Sequence, residues 1–85
     1  MKLKQLGSNQ TELVLNDGTQ VLFSYETPVA CLKDAVLFRT DKKWSQTTSR
    51  HINKWTASKE YLADWIQSTH KPQSFFEALI LGADK

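Results

Sequence analysis

The chain predicts an α+β fold: an N-terminal antiparallel β-meander of about four to five strands with two to three C-terminal helices packed on one face. Three observations carry this expectation. Residues 13–40 are rich in Val, Leu, Phe, Thr and Tyr and are punctuated by short turn signals. Apolar spacing then changes to a helical period in the second half. Strands first and helices second is the element order of α+β domains.

Leu13-Val14-Leu15 and Val21-Leu22-Phe23 flank Asn16-Asp17-Gly18-Thr19. Asp-Gly in a two-residue loop signals a type I′ hairpin, because both loop positions need φ > 0. With Asp17 and Gly18 as the loop, Val14 faces Val21 and Leu13 faces Leu22, so both faces of the ribbon carry apolar side chains. Pro28 removes a ladder donor and pushes Thr27 toward extended backbone, which places a bend or an edge there. Val29-Ala30-Cys31-Leu32 and Ala35 to Thr40 read as two further strands joined at Lys33-Asp34. A short strand at Trp44-Ser45-Gln46-Thr47 is expected to pair back on residues 36–40.

Thr48-Ser49 reads as the cap of a short helix over about 49–55, with Ile52 and Trp55 on one side and Arg50 and Lys54 on another. Tyr61, Leu62, Trp65 and Ile66 give an amphipathic helix from Lys59 to about Thr69, capped by Ser58. His70-Lys71-Pro72 breaks it. Ser74-Phe75-Phe76-Glu77 has the spacing of a capping box and opens a last helix through Leu81, with Gly82 as its stop and Phe75, Phe76, Leu79 and Ile80 as its apolar face. The first and last few residues are expected to fray.

Eighty-five residues read as a single domain, 1–85. A chain so short buries only about 60% of its unfolded surface, which excludes a substrate domain beside a cofactor domain. The single cysteine, Cys31, excludes a disulfide framework and points to a reducing compartment, the cytoplasm. No apolar run reaches the roughly 20 residues of a membrane span, and residues 1–7 lack a signal-peptide core.

No catalytic constellation stands out, and the expectation is a protein that is not an enzyme and carries no cofactor and no metal. Cys31 with His51 is the one Cys/His pairing to weigh, and Cys31 sits in an apolar strand, where a buried, inert thiol is the plainer reading. His51 and His70 are too far apart in sequence, without partners at zinc spacing, to suggest a metal site. Gly7, Gly18 and Gly82 are isolated, so there is no glycine-rich phosphate loop.

Charge is more informative. Between Arg39 and Lys59 six basic residues (Arg39, Lys42, Lys43, Arg50, Lys54, Lys59) stand against one acid, Asp41, a net of +5, while the remaining sixty-four residues net −3. Trp44, His51, Trp55 and the hydroxyls of Ser45, Thr47, Thr48 and Ser49 interleave with these cations. Cations, hydroxyls and a helix start are what phosphate recognition uses, and aromatic rings stack on unpaired bases. The same inventory also describes a solvated face with a lysine-rich edge, and Trp55 three residues after Ile52 also reads as core.

Two stretches carry a resemblance: Leu15 to Ala30 (LNDGTQVLFSYETPVA) and Lys42 to Trp55 (KKWSQTTSRHINKW). Over roughly residues 11–55 the chain resembles a group of small uncharacterised proteins of bacteriophages and related mobile elements, classed as a domain of unknown function. The resemblance implies a viral or mobile-element origin and supplies no activity or site residue. By analogy with small phage proteins, it implies a binder of host machinery, of nucleic acid or of a host-defence component.

The expectation is therefore a small accessory or regulatory protein of phage type, acting in the host cytoplasm by binding nucleic acid or a host protein, with no membrane partner. Its expected contact residues are Lys42, Lys43, Trp44, Arg50, His51 and Lys54. The alternative is a structural protein forming a homodimer through a strand edge or through the face of Phe75, Phe76, Leu79 and Ile80.

Overall fold

A computed structural model of the chain describes residues 2–7, 9–59 and 69–83. Its elements in order are β1 (Lys2–Gly7), β2 (Gln10–Val14), β3 (Gln20–Ser24), β4 (Thr27–Lys33), β5 (Val36–Thr40), α1 (Gln46–Lys59), β6 (Thr69–Lys71) and α2 (Gln73–Ala83). The six strands form one sheet in the order β1-β2-β3-β4-β5-β6. The fold is α+β, as the sequence predicts. All neighbours pair antiparallel except β5 with β6, which run parallel.

The first hairpin differs from expectation by one residue. Leu13 pairs with Val21 and Val14 with Gln20, and the Leu15 amide donates to the Thr19 carbonyl at 2.8 Å, so the loop is Asn16-Asp17-Gly18. Of these three only Gly18 has positive φ, at 92°. The Asp17 side chain accepts a hydrogen bond from the Thr19 amide at 2.9 Å, which holds its carboxyl below the ordinary range. This is a three-residue loop closed on a left-handed glycine. The slip matters because side-chain faces alternate every residue. It sets Glu12, and not Leu13, opposite Leu22.

The type I′ signature lies elsewhere. Lys33 pairs with Val36, and the two residues between them, Asp34 and Ala35, both have positive φ (52° and 62°). Pro28 sits at a bulge: Leu22 pairs with Ala30 and Phe23 with Pro28, leaving Val29 as the extra residue. That is where a strand tolerates a proline.

The helices cover both faces of the sheet, which corrects the one-face expectation. Alternate strand residues point to opposite sides. Leu22, Ala30, Leu32 and Leu37, with Val29 from the bulge, pack with Ile52 and Trp55 of α1. Val21, Cys31 and Leu15 pack with Phe76 of α2, flanked by half-buried Leu13, Phe23, Phe38, Phe75, Leu79 and Ile80. Strands that are apolar on both faces, such as β4, need a cover on each. The apolar face of α2 is thus turned onto the sheet.

Helix boundaries also shift. The expected strand at residues 44–47 is absent: Ser45 is the N-cap of α1, its Oγ accepting from the Thr48 amide at 3.2 Å. β5 takes β6 as its outer neighbour instead. Ser58, the expected cap of the next helix, lies inside α1 and donates to the Trp55 carbonyl at 2.7 Å. The expected helix from 59 to about 69 falls mostly on residues 60–68, outside the described residues, and Thr69 is in β6. Helix α2 begins at Gln73, one residue before the proposed capping serine, and runs through Gly82 to Ala83. The N-terminus, expected to fray, supplies edge strand β1, exposed over residues 2–6. No helix among the described residues is long and apolar enough to cross a membrane.

Candidate functional site

The basic segment turns a corner. Strand β5 ends at Thr40, residues 41–45 form a loop, and α1 starts at Gln46. The loop is held by its backbone: the Asp41 amide donates to the Lys71 carbonyl at 2.9 Å and the Lys42 amide to Thr40 Oγ1 at 3.2 Å. A cavity of about 320 Å³ lies in this corner, lined by Arg39 and Thr40 of β5, by residues 41–44, by Thr48, Ser49, Ile52 and Asn53 of α1, and by His70 of β6. Three permanent cations (Arg39, Lys42, Lys43) and one carboxylate (Asp41) stand in its wall, a formal net of +2.

Arg39 is fixed there by α1. Its Nη2 donates to Asn53 Oδ1 at 2.9 Å and to Thr56 Oγ1 at 3.3 Å, while its Nε is buried without a partner. Burial pulls its pKa down, yet a guanidinium stays charged at neutral pH. Lys42 and Lys43 are exposed. The first turn of α1 carries no acidic residue, so the positive end of the helix adds to the same field.

Of the six predicted contact residues, the fold gathers three at this cavity: Lys42, Lys43 and Trp44. Trp44 does not offer a free ring. Its Nε1 donates to Gln73 Oε1 at 3.3 Å, Lys42 Nζ sits 4.3 Å from its ring centroid, and its indole packs on the core. Trp55 is 3% exposed, with Nε1 donating to Glu12 Oε1 at 2.9 Å. Neither indole is the base-stacking platform the sequence suggests. Arg50 and Lys54 are exposed, one turn apart on the helix side opposite the buried stripe of Thr48, Ile52, Trp55 and Thr56, and neither lines the cavity.

His51 belongs to a different cluster. Its Nδ1 lies 2.8 Å from Ser24 Oγ, which is also 2.9 Å from Thr48 Oγ1, and its ring meets Tyr25 at 6.2 Å between centroids. Burial first, then the charges of Arg50 and Lys54, hold the imidazole below its ordinary pKa. Ser24 is 2% exposed, so its hydroxyl is closed to a substrate and the trio ties α1 to the end of β3. The Cys31–His51 pairing does not form: Cys31 packs with Phe76 on the α2 face, and His51 belongs to the helix on the other. Burial pushes the Cys31 thiol up to about 12, leaving no thiolate at neutral pH. Among the described residues no three of His, Cys, Asp and Glu gather as metal ligands.

Sequence reasoning missed Asn53, which orients Arg39, and His70, which β6 brings beside Arg39 in register. It also missed Gln73, whose Oε1 accepts from Thr40 and Trp44 and whose Nε2 donates to the Pro28 carbonyl. Helical spacing from Ser49, one turn earlier, marks Asn53. Nothing local announces His70, because a parallel pairing thirty-one positions away has no short-range signature.

Residues 1–71 match the model of a family of unknown function, DUF8033. The chain belongs to that family. The matched region runs from β1 through β6 and so contains the whole sheet, α1 and the basic corner; α2 lies beyond it. No curated protein and no solved structure matches the chain.

Proposed function

We propose that this is a small accessory protein of phage type that works in the host-cell cytoplasm by binding, without catalysing a reaction, and that its ligand is nucleic acid held through phosphate. One observation carries the reading: Arg39, Lys42 and Lys43 converge on a cavity at the start of α1 with Asp41 as the one carboxylate in its wall. Cations displaced onto phosphate release counterions, and that release supplies most sequence-independent affinity for nucleic acid. Ser49 and Asn53 add a hydroxyl and an amide for phosphate oxygens. Arg50 and Lys54 contribute long-range attraction from the outer face of α1. The phage-type origin rests on the two stretches at residues 15–30 and 42–55, and the cytoplasm on the reduced, buried Cys31.

The test is a titration against single-stranded and duplex oligonucleotides at several salt concentrations. Engagement of three cations gives a salt slope of about −2 on single strands, at about −0.7 per neutralised phosphate. The slope should shrink to about −0.7, the share of the remaining Arg39, in a Lys42→Ala, Lys43→Ala double variant. Absence of binding at low salt defeats the nucleic-acid reading and turns the search to acidic host proteins.

A second reading rests on β1. This edge strand is exposed, with Leu3 at 73% and Leu6 at 38%, and its open amides and carbonyls could pair with a second copy. Lys2 and Lys4 and the register shift between Gln5 and Gly7 oppose such pairing. Light scattering across a concentration series decides it: a strict monomer at high micromolar concentration removes the homodimer.

A further inference from the structure

We propose that the corner cavity is a pocket for a terminal phosphomonoester, the 5′-phosphate of a nucleotide or of an oligonucleotide end, taken without reading the base. This rests on the nucleic-acid reading above and narrows it.

Charge is the first argument. Arg39, Lys42 and Lys43 against Asp41 leave a formal +2 in the wall. A phosphomonoester carries about −1.5 to −2 at neutral pH, whereas each phosphate of a continuous strand carries one charge. Arg39 has no carboxylate partner among the described residues, and its Nε–H is buried and unpaired, so the wall holds a guanidinium with no counter-charge of its own. Asn53 and Thr56 fix that guanidinium before any ligand arrives.

Shape is the second. Proteins that track a strand lay cations along a groove and interleave them with free aromatic faces. Here the cations meet in one corner. Arg50 and Lys54 do not line the cavity and so do not prolong it into a stripe. The volume of about 320 Å³ is at the lower end of small-molecule sites, roughly 300–1,000 Å³.

The third argument removes the base. Trp44 gives its N–H to Gln73 and a ring face to Lys42, and Trp55 is buried against Glu12. With neither indole free, and the His70 imidazole the one other ring in the lining, affinity comes chiefly from the phosphoryl group and is expected to be indifferent to the base.

The deciding experiment compares, by fluorescence anisotropy, one short single strand labelled at its 3′ end and carrying either a 5′-phosphate or a 5′-hydroxyl, with nucleoside 5′-monophosphates of each base as competitors. The phosphorylated strand should bind at least about tenfold tighter, the scale of one or two charge-assisted hydrogen bonds. That preference should vanish in Lys42→Ala, Lys43→Ala, whose exposed sites leave folding intact by circular dichroism, and persist in Arg50→Ala, Lys54→Ala. Competition by all the monophosphates alike identifies the phosphate itself as the ligand; failure to compete, with the preference intact, identifies the polymer end. Equal binding of the two strands overturns the pocket and leaves the nucleic-acid reading standing. No binding of either strand overturns both. Competition that depends on the base overturns recognition by phosphate alone.

Discussion

Phe76→Ala measures how much of the fold depends on the helix that lies outside the family match. Phe76 is fully buried and packs with Leu15, Val21 and Cys31, and Phe75 meets it edge-on at 5.2 Å between ring centroids. Truncating a buried phenylalanine costs the lost transfer free energy plus the void left behind, together about 3–5 kcal/mol. Phe75, Leu79 and Ile80 are only half-buried and border the site, so part of the void can collapse, which puts the expected loss at about 3 kcal/mol. Domains of this size unfold in urea with a slope near 1 kcal/mol/M, so the midpoint should fall by about 3 M. Against a total of about 5–15 kcal/mol, such a variant is marginal and still measurable at low temperature. A loss below about 1 kcal/mol refutes the reasoning, because it means that α2 does not seal the second face of the sheet.

Four further outcomes follow from named backbone angles and contacts. Ala35→Gly relieves a left-handed alanine, a gain of about 1–2 kcal/mol that exceeds the roughly 0.4–1 kcal/mol lost to a freer unfolded chain, so the urea midpoint should rise. Gly18→Ala, at φ 92° in open space, should lower it by a similar net amount. Burial alone would raise the pKa of the Glu12 carboxyl, but hydrogen bonds from Lys59 and Trp55 and the Lys59 charge together hold it below its ordinary value. Glu12→Gln keeps an acceptor for the Trp55 N–H, whereas Glu12→Leu strands that donor and the Lys59 ammonium; urea titrations should show about 1 kcal/mol lost in the first and about 3 kcal/mol in the second. Equal losses would show that the Glu12 carboxylate's charge opposite Lys59 outweighs the acceptor it gives the Trp55 N–H. His51 has its folded pKa below its unfolded value near 6.5, so protonation favours unfolding. Stability is full above about pH 6.5 and is lost as pH falls from there to the folded pKa. Thermal melts between pH 7.5 and 5.5 should show that decline, and His51→Gln should flatten it.

Local chemistry made several elements legible. The Val/Leu/Phe runs separated by Asp17-Gly18 and Lys33-Asp34 mark strands and turns because side-chain shape and turn backbone act over a few residues. The basic stretch from Arg39 to Lys59 is equally a property of composition, and three of its residues do meet at one cavity. The slip in the first hairpin shows the limit of such signals: Asp-Gly serves a two-residue I′ loop and a three-residue loop alike, and the choice decides whether Glu12 or Leu13 faces α1.

What the sequence by itself determined is therefore the class of the protein: strands before helices, a buried unreactive cysteine, and a concentration of positive charge at the turn from sheet to helix. Only the tertiary structure decided which side chains share a site. Parallel pairing of β6 on β5 carries His70 to Arg39, and the docking of α1 aims Asn53 and Ser49 at the cavity while it turns Arg50 and Lys54 away and locks His51 to Ser24. Gln73, at the start of a helix on the other face, fixes Trp44. These are contacts between residues tens of positions apart, and they form because each buried face must be covered and each buried polar group must find a partner, conditions met only once the chain is folded.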